Sequence, residues 1–430
     1  VTNAHGDLLV ELLQHLDSGA HRRHELNLYY QGEQPLAFLS PEARQALDKR
    51  FGRITANIPR LAVTSLAEQL LISGVAGDPD SWQDFLSNDL DQLSGVAHRE
   101  ALAVGQSFVI VWADAIGSPR ATVESAEQVA VKRDPVTREF TAAVKRVRTK
   151  TTTEAWLYLP DEVQHWRAPS PGAATAGFNL VESVPNPLGV VPVVPLTNSG
   201  RLLDHDGRSE IEDLKPLVDG LTKTLADLDD DGNPVADPET GEPVMDTVNP
   251  IPEGNRAMIS EAPEAKFGQL PGADLAGFKT SVDIWVQMIM AVSALPAHMI
   301  GISTSNPATA EAIRAAEAGL TAKVIARQLT FGRAWEQVAR LMVAVRSGVD
   351  PTGVTIRVVW ADASTRSTAA EADAAVKLFQ AGILSRRTTL ARMGFSEDEI
   401  TAELNQAEFD ARIGADIRLG RYVSDLIATA

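Results

Sequence analysis

The chain has 430 residues, 44% of them hydrophobic and 22% charged, which predicts a folded protein with more than one core. A formal charge of −18 excludes a protein that holds DNA through a basic surface, and the absence of cysteine excludes disulfides, thiolate metal sites and cysteine nucleophiles. The most apolar window, 286–302, is interrupted by Gln287, Pro296 and His298 and is too short to cross a bilayer, so a soluble protein made in the cytoplasm, without a membrane partner, is expected.

In chain order, residues 1–17 read as a short amphipathic helix with Leu8, Leu9, Leu12, Leu13 and Leu16 on one face. Residues 41–100 read as helical, because Phe51, Ile54, Ile58, Leu61 and then Leu66, Leu70 and Leu71 recur at spacings of three and four. "SFVIVWAD" at 107–114 switches to strand character, continued by "EQVAVKRD", "FTAAVKRVRT" and "TEAWLYLPDEVQHWR", which together predict an antiparallel meander. "VPNPLGVVPVVPL", with four prolines, is predicted to be extended and to form an edge or a linker.

Two heptad seams follow. Ile211, Leu214, Val218, Leu221, Leu225 and Leu228 are spaced 3-4-3-4-3, and Leu275, Phe278, Val282, Trp285, Ile289 and Val292 repeat the same spacing. Seams of matched phase and length suit two neighbouring helices sharing one apolar stripe, and Pro216 requires the first helix to start or kink there. The 229–270 stretch between them is rich in Asp, Glu, Pro and Gly and reads as an excursion from the tip of a helical hairpin.

After Pro296 a short polar loop leads to a predicted helix over 308–346, ~58 Å long, whose stripe comprises Ile313, Leu320, Val324, Phe331, Trp335, Val338, Met342 and Val345. Gly319 and Gly332 are its expected bend points, and its first turns are rich in alanine. The end reads as a strand, "VTIRVVWAD", followed by helices from 367, 385 and 396. Ser385 is the expected N-cap of one, and Ser396 with Glu399 the capping box of the next.

Sites that carry chemistry are sparse. Asp227, Asp229, Asp231 and Gly232 fit the start of a calcium loop, but Pro238 stands where its bidentate Glu belongs, and a solvated acidic turn accounts for the stretch. Asp204, His205, Asp206, Glu210, Glu212 and Asp213 supply metal-ligand types without a standard spacing. A cytosolic metal-dependent hydrolase built on 204–213 and 227–231 is therefore the alternative reading. His21 and His24 sit among charged neighbours and read as a solvated helix face. No Gly-rich phosphate loop and no G-x-S-x-G elbow is present, and neither a cofactor nor a catalytic residue is expected.

The order of these elements, together with "LNLYYQGEQPL" (26–36), "ITANIPRLAVTSLAEQLLISGV" (54–75), "AHREALAVGQSFVIVW" (97–112), "EAKFGQLPGADLAGF" (264–278), "IMAVSALPAHMIG" (289–301), "NPATAEAIRAAEAGL" (306–320), "RQLTFGRAWEQVARLM" (327–342) and "ADAAVKLFQAGILS" (372–385), resembles the SPP1-like portal proteins of tailed bacteriophages, above all those of actinobacterial phages. The resemblance implies an α+β, predominantly helical portal fold. Its parts would be an N-terminal wing with helices and antiparallel strands (1–208), a first stem helix (209–228), a clip (229–271), a second stem helix (272–295), a tunnel loop (296–307), a long wing helix (308–346) and a C-terminal wing strand with a helical crown (347–430).

It further implies a homo-oligomeric ring, a dodecamer, at one capsid vertex of the virion, assembled in the host cytoplasm. Double-stranded DNA would pass through it, and its partners would be the terminase large subunit, a head-tail adaptor, the major capsid protein and the scaffold. On this resemblance Met299, Ile300, Ser303, Thr304, Ser305 and Asn306 would meet DNA, while Lys215, Lys223 and Lys279 would be isolated stem cations. Stem packing would fall to Ile211, Leu214, Val218, Leu221, Leu225, Leu275, Phe278, Val282, Trp285 and Ile289. The chain departs from the family where Leu228 runs directly into Asp229, Asp230 and Asp231: either the clip is short and acidic, or the sequence lacks a stretch near residue 228.

Overall fold

The computed structural model describes residues 2–35, 57–226, 276–301, 310–363 and 368–428. Helix predominates over strand, and the described residues contain three sheets. The leucines of the first helix, α1 (Thr2–Ser18), decide its place. Leu9, Leu12, Leu13 and Leu16 are buried against Ala130, Val144, Ala155, Leu157 and Trp166, which line one face of a five-stranded sheet. That sheet is an antiparallel meander of β4 (Val129–Arg133), β5 (Phe140–Arg148), β6 (Thr153–Tyr158), β7 (Glu162–Ala168) and β8 (Asn179–Pro185).

The meander does not begin where the sequence placed it. β2 (Gln106–Ala113) pairs with β3 (Pro119–Ser125) on one side and with β9 (Val193–Thr197) on the other, forming a separate three-stranded sheet. The chain changes sheets between β3 and β4. β9 is the proline-rich stretch and lies at the edge, with Pro195 opposite Phe108, where a missing backbone N–H costs no ladder bond.

Of the helical reading of 41–100, residues 41–56, with Phe51 and Ile54, lie outside the described residues, and the remainder is corrected in one place. After α2 (Ala20–Gln31) and α3 (Ile58–Ala67), the chain forms strand β1 (Ile72–Ala76) before α4 (Ser81–Ser87) and α5 (Leu90–Val104). β1 pairs antiparallel with β10 (Arg357–Trp360), Val75 lying opposite Val358. Its partner is far away in the sequence, so no local pattern announces it. Leu71, at its threshold, is 54% exposed instead of joining Leu66 and Leu70 in the core.

The main core is built around the longest helix, α8 (Ala310–Ser347), which follows α6 (Lys215–Ala226) and α7 (Ala276–Ser293). Its Leu320, Val324, Phe331, Trp335, Val338 and Met342 are fully buried among residues of α5, β2 and β9. α8 runs through both glycines, which serve close packing. A Cβ at Gly332 would lie 3.2 Å from Trp360 Nε1, and one at Gly319 would lie 3.4 Å from the Ala294 Cβ.

The C-terminal helices are α9 (Thr368–Gln380), α10 (Arg386–Arg392) and α11 (Glu397–Ala428). Ser385 caps α10 by accepting from the Thr388 N–H. Ser396 and Glu399 form the expected reciprocal pair: the Glu399 N–H donates to Ser396 Oγ at 3.3 Å and the Ser396 N–H to Glu399 Oε2 at 2.8 Å.

Candidate functional site

The region of interest is the paired helices α6 and α7, the turn that follows them and the first half of α8. α6 begins at Lys215, with Pro216 in its first turn, where the absent N–H would have had no intrahelical partner. Leu214, Val218 and Leu221 are buried in one cluster with Ile289 and Leu295, seated on Ile58 and Ala62 of α3. Leu225, Val282 and Trp285 are half-buried at its margin.

Two seam residues, Ile211 and Val292, behave otherwise. Ile211 is buried in the main core instead, because the chain makes turns through 209–214 before α6 starts. Val292 is 41% exposed, and Leu275 lies outside the described residues. Phe278 belongs to α7, but its side chain also lies outside what is described.

The two helices touch most closely at a residue the periodicity did not single out. A Cβ on Gly220 would sit 2.6 Å from Trp285 Cζ2, so only glycine lets the indole lie on the α6 backbone. α7 ends when Ala294 adopts a positive φ of 61° and Ser293 Oγ bonds to the Ile289 carbonyl at 2.6 Å, after which Pro296 opens a single 3-10 turn, Ala297–Ile300.

Met299 and Ile300, expected to present soft apolar contacts in the loop, are half-buried against the α6–α7 cluster and anchor the turn. Ser303, Thr304, Ser305 and Asn306 lie outside the described residues. His298 reaches across to Glu317 of α8, Nε2 to Oε1, at 3.2 Å.

A polar joint binds these helices to the body. Glu210, 12% exposed, accepts from Arg327 Nη2 at 2.5 Å and from Asn198 Nδ2 at 3.2 Å, with Lys323 Nζ at 3.6 Å. Burial alone would raise the Glu210 carboxyl, but the Arg327 guanidinium and Lys323 hold it below its ordinary range. Lys323 also donates to the Val292 carbonyl at 3.0 Å, so one lysine links α7, α8 and the approach to α6.

On the opposite side Tyr29 Oη donates to Asp219 at 2.8 Å, and Lys215 pairs with Glu25 at 2.5 Å while standing over the Tyr29 ring. Lys215 is therefore not an isolated cation. Lys223 is half-buried on α6, and Lys279 is exposed in the first turn of α7. None of Glu210, Arg327, Lys323, Tyr29 or Asp219 was legible as a joint, because the partners stand 117 and 190 residues apart.

Three carboxylates of the acidic stretch 204–213 are paired with basic side chains, two of them from α1 and α2. Asp206 faces His15 at 3.3 Å, and that hydrogen bond holds its carboxyl low; Glu212 accepts from Arg22 at 2.6 Å, and Asp213 accepts from Arg208. Among the described residues no group of three or more His, Asp or Glu side chains is arranged to hold a metal, and no helix is long and apolar enough to cross a membrane. Asp227 to Asp231 lie outside the described residues.

Comparison with known proteins gives a consistent result. Residues 11–412 match the sequence model of a family described as phage portal protein, SPP1 Gp6-like. The portal protein of Mycobacterium phage L5 is 32% identical over 405 residues, covering 85% of this chain and 81% of the relative. That of Mycobacterium phage D29 is 31% identical over 408 residues, with the same coverage. Among solved structures, a chain from the neck of a native GTA particle, computed with C12 symmetry, aligns over 82% of this chain and 92% of its own length with a TM-score of 0.43 and 15% identity.

Proposed function

Because this chain belongs to the SPP1 Gp6-like family of phage portal proteins, we propose that it assembles into a twelve-membered ring at one vertex of a phage capsid, through which the genome is packaged, retained and later ejected. The family is structural, and the protein is not an enzyme. The observation that carries the reading is the extent of the family match, residues 11–412, which takes in α6, α7, the turn after them and α8.

In this reading α6 and α7 are the stem, 229–271 the clip, 296–307 the tunnel loop and α8 the long helix behind the channel. Residues 1–208 and β10 form the wing, and the helices beyond β10 form the crown. Met299 and Ile300 hold the loop to the stem, which leaves Ser303, Thr304, Ser305 and Asn306 as the hydroxyl and amide groups that meet DNA. Such groups hydrogen-bond phosphates without the Coulombic grip of Lys or Arg.

The net charge supports this assignment. A wall of chains each carrying −18 does not trap a polyanion that must slide past it. Lys223 and Lys279 would ease the repulsion at two levels of the stem, and Lys215 is paired with Glu25.

The ring would receive DNA from the terminase large subunit, sit among major capsid and scaffold subunits during assembly in the host cytoplasm, and bind a head-tail adaptor in the virion. Negative-stain electron microscopy of the purified chain, with rotational averaging, tests the reading. Closed rings with a central channel are expected; compact monomers or dimers at high concentration would overturn it.

A further inference from the structure

α8 presents two apolar faces of different fate. One packs the main core through Leu320, Val324, Phe331 and Trp335. The other, Ala318, Ala322, Ile325 and Leu329, has the 4-3-4 spacing of a helix–helix seam, yet all of it is exposed, Ile325 by 48% and Leu329 by 73%. At 3.6 residues per turn, this face lies roughly 150° around the helix from the core face, so the core does not cover it. α7 carries a second open face: Ile284, Met288 and Val292, four residues apart, are 49%, 48% and 41% exposed. It lies about a quarter turn from the Val282, Trp285 and Ile289 face that meets α6.

We propose that these two faces meet between neighbouring copies of this chain, the bulky face of α7 in one copy seating on the flatter face of α8 in the next. The inference rests on the ring assembly proposed above and names the surface that closes it. Isolated exposed apolar residues are ordinary, but two periodic faces on adjoining helices are not.

Their shapes complement each other. Ile284, Met288 and Val292 stand proud, while Ala318 and Ala322 let a second backbone approach, with Ile325 and Leu329 closing the far end. The faces also differ from one another, so the contact is heterologous. Such a contact propagates around an axis and closes a ring, whereas either face pairing with itself would stop at two copies.

The area is small for a single joint. The five large side chains would together withdraw on the order of 400 Å² of apolar surface at one joint, well below the ~1,600 Å² total of a standard two-body interface. One such joint is weak for a dimer; a closed ring gives every copy two. The α7 face is moreover continuous with the α6–α7 seam, so a neighbour seated there extends a packed stem sideways.

The absence of cysteine makes the test direct. Met288→Cys is combined in turn with Ala318→Cys, Ala322→Cys or Ile325→Cys in the full chain, which is then assembled and mildly oxidised. A disulfide needs Cα atoms roughly 4.4–6.8 Å apart, so at least one pairing should give a ladder of covalent oligomers that no single-cysteine variant gives. Ile325→Glu with Leu329→Glu should keep the helical circular dichroism and lose the rings seen by native mass spectrometry.

Rings without a ladder from any pairing, an intrachain link alone, or rings that survive the double-glutamate change would overturn the seam and leave the ring reading standing. Failure of the unaltered chain to form rings would overturn both.

Discussion

His98 has no exposed surface; its Nε2 accepts from Trp335 Nε1 at 2.7 Å, and its ring stacks on Phe331 at 5.3 Å. Burial pushes its pKa down to about 3, so the folded protein keeps it neutral while the unfolded chain titrates near 6.5. Its contribution to stability is therefore complete above pH 6.5 and is lost as pH falls towards 3, at about 1.4 kcal/mol per pH unit. His98→Gln, which retains an acceptor but takes no proton, should flatten the fall in urea-unfolding free energy between pH 6 and pH 4 by ~2 to 3 kcal/mol. An unchanged slope would place the acid sensitivity elsewhere. Gly220 is the other residue whose importance is purely spatial. Gly220→Ala should cost about 1–3 kcal/mol by urea unfolding, because the new methyl displaces the Trp285 indole, and adding Trp285→Leu should recover part of the loss.

Among the elements, α8 does the most to unite the structure, and its hold on the α6–α7 pair passes through Glu210. Arg327→Gln leaves that carboxylate buried with only Lys323, at 3.6 Å, for charge, and should destabilise the protein by about 3 kcal/mol. Glu210→Gln added to it should restore most of that, since the uncompensated charge is gone; the pair of unfolding curves checks both. The carboxyl is held low in the folded state, so its contribution is complete above about pH 4.3 and lost as pH falls through its folded value. At this scale the sequence was most readable where information is local. Pro216 marks the start of α6, Ser385 and Ser396 cap α10 and α11, and the leucines of α1 all face its sheet. β1 was unreadable because its pairing with β10 spans most of the chain. The sheet change between β3 and β4 depends on which strand claims β2's free edge, and β9 does so from more than 80 residues downstream.

For the whole molecule, the proposed tunnel loop and the proposed ring make one prediction together. Deleting Ser303 to Asn306 should leave ring formation intact by native mass spectrometry and impair DNA packaging or retention in a reconstituted head. The reason is that Met299 and Ile300, outside the deletion, already anchor the turn. Rings that fail to assemble would make the loop a structural element instead.

By itself the sequence determined the family, part of the stripe shared by α6 and α7, the caps and the absence of thiol chemistry, because each depends on residue types at short, fixed spacings. Only the tertiary structure decided that Lys215 is spent on Glu25, that Glu210 is a joint held by Arg327, and that Gly220 lets two helices touch. Those outcomes depend on which distant side chain arrives within a few ångströms, and burial then sets the worth of each charge and each missing Cβ.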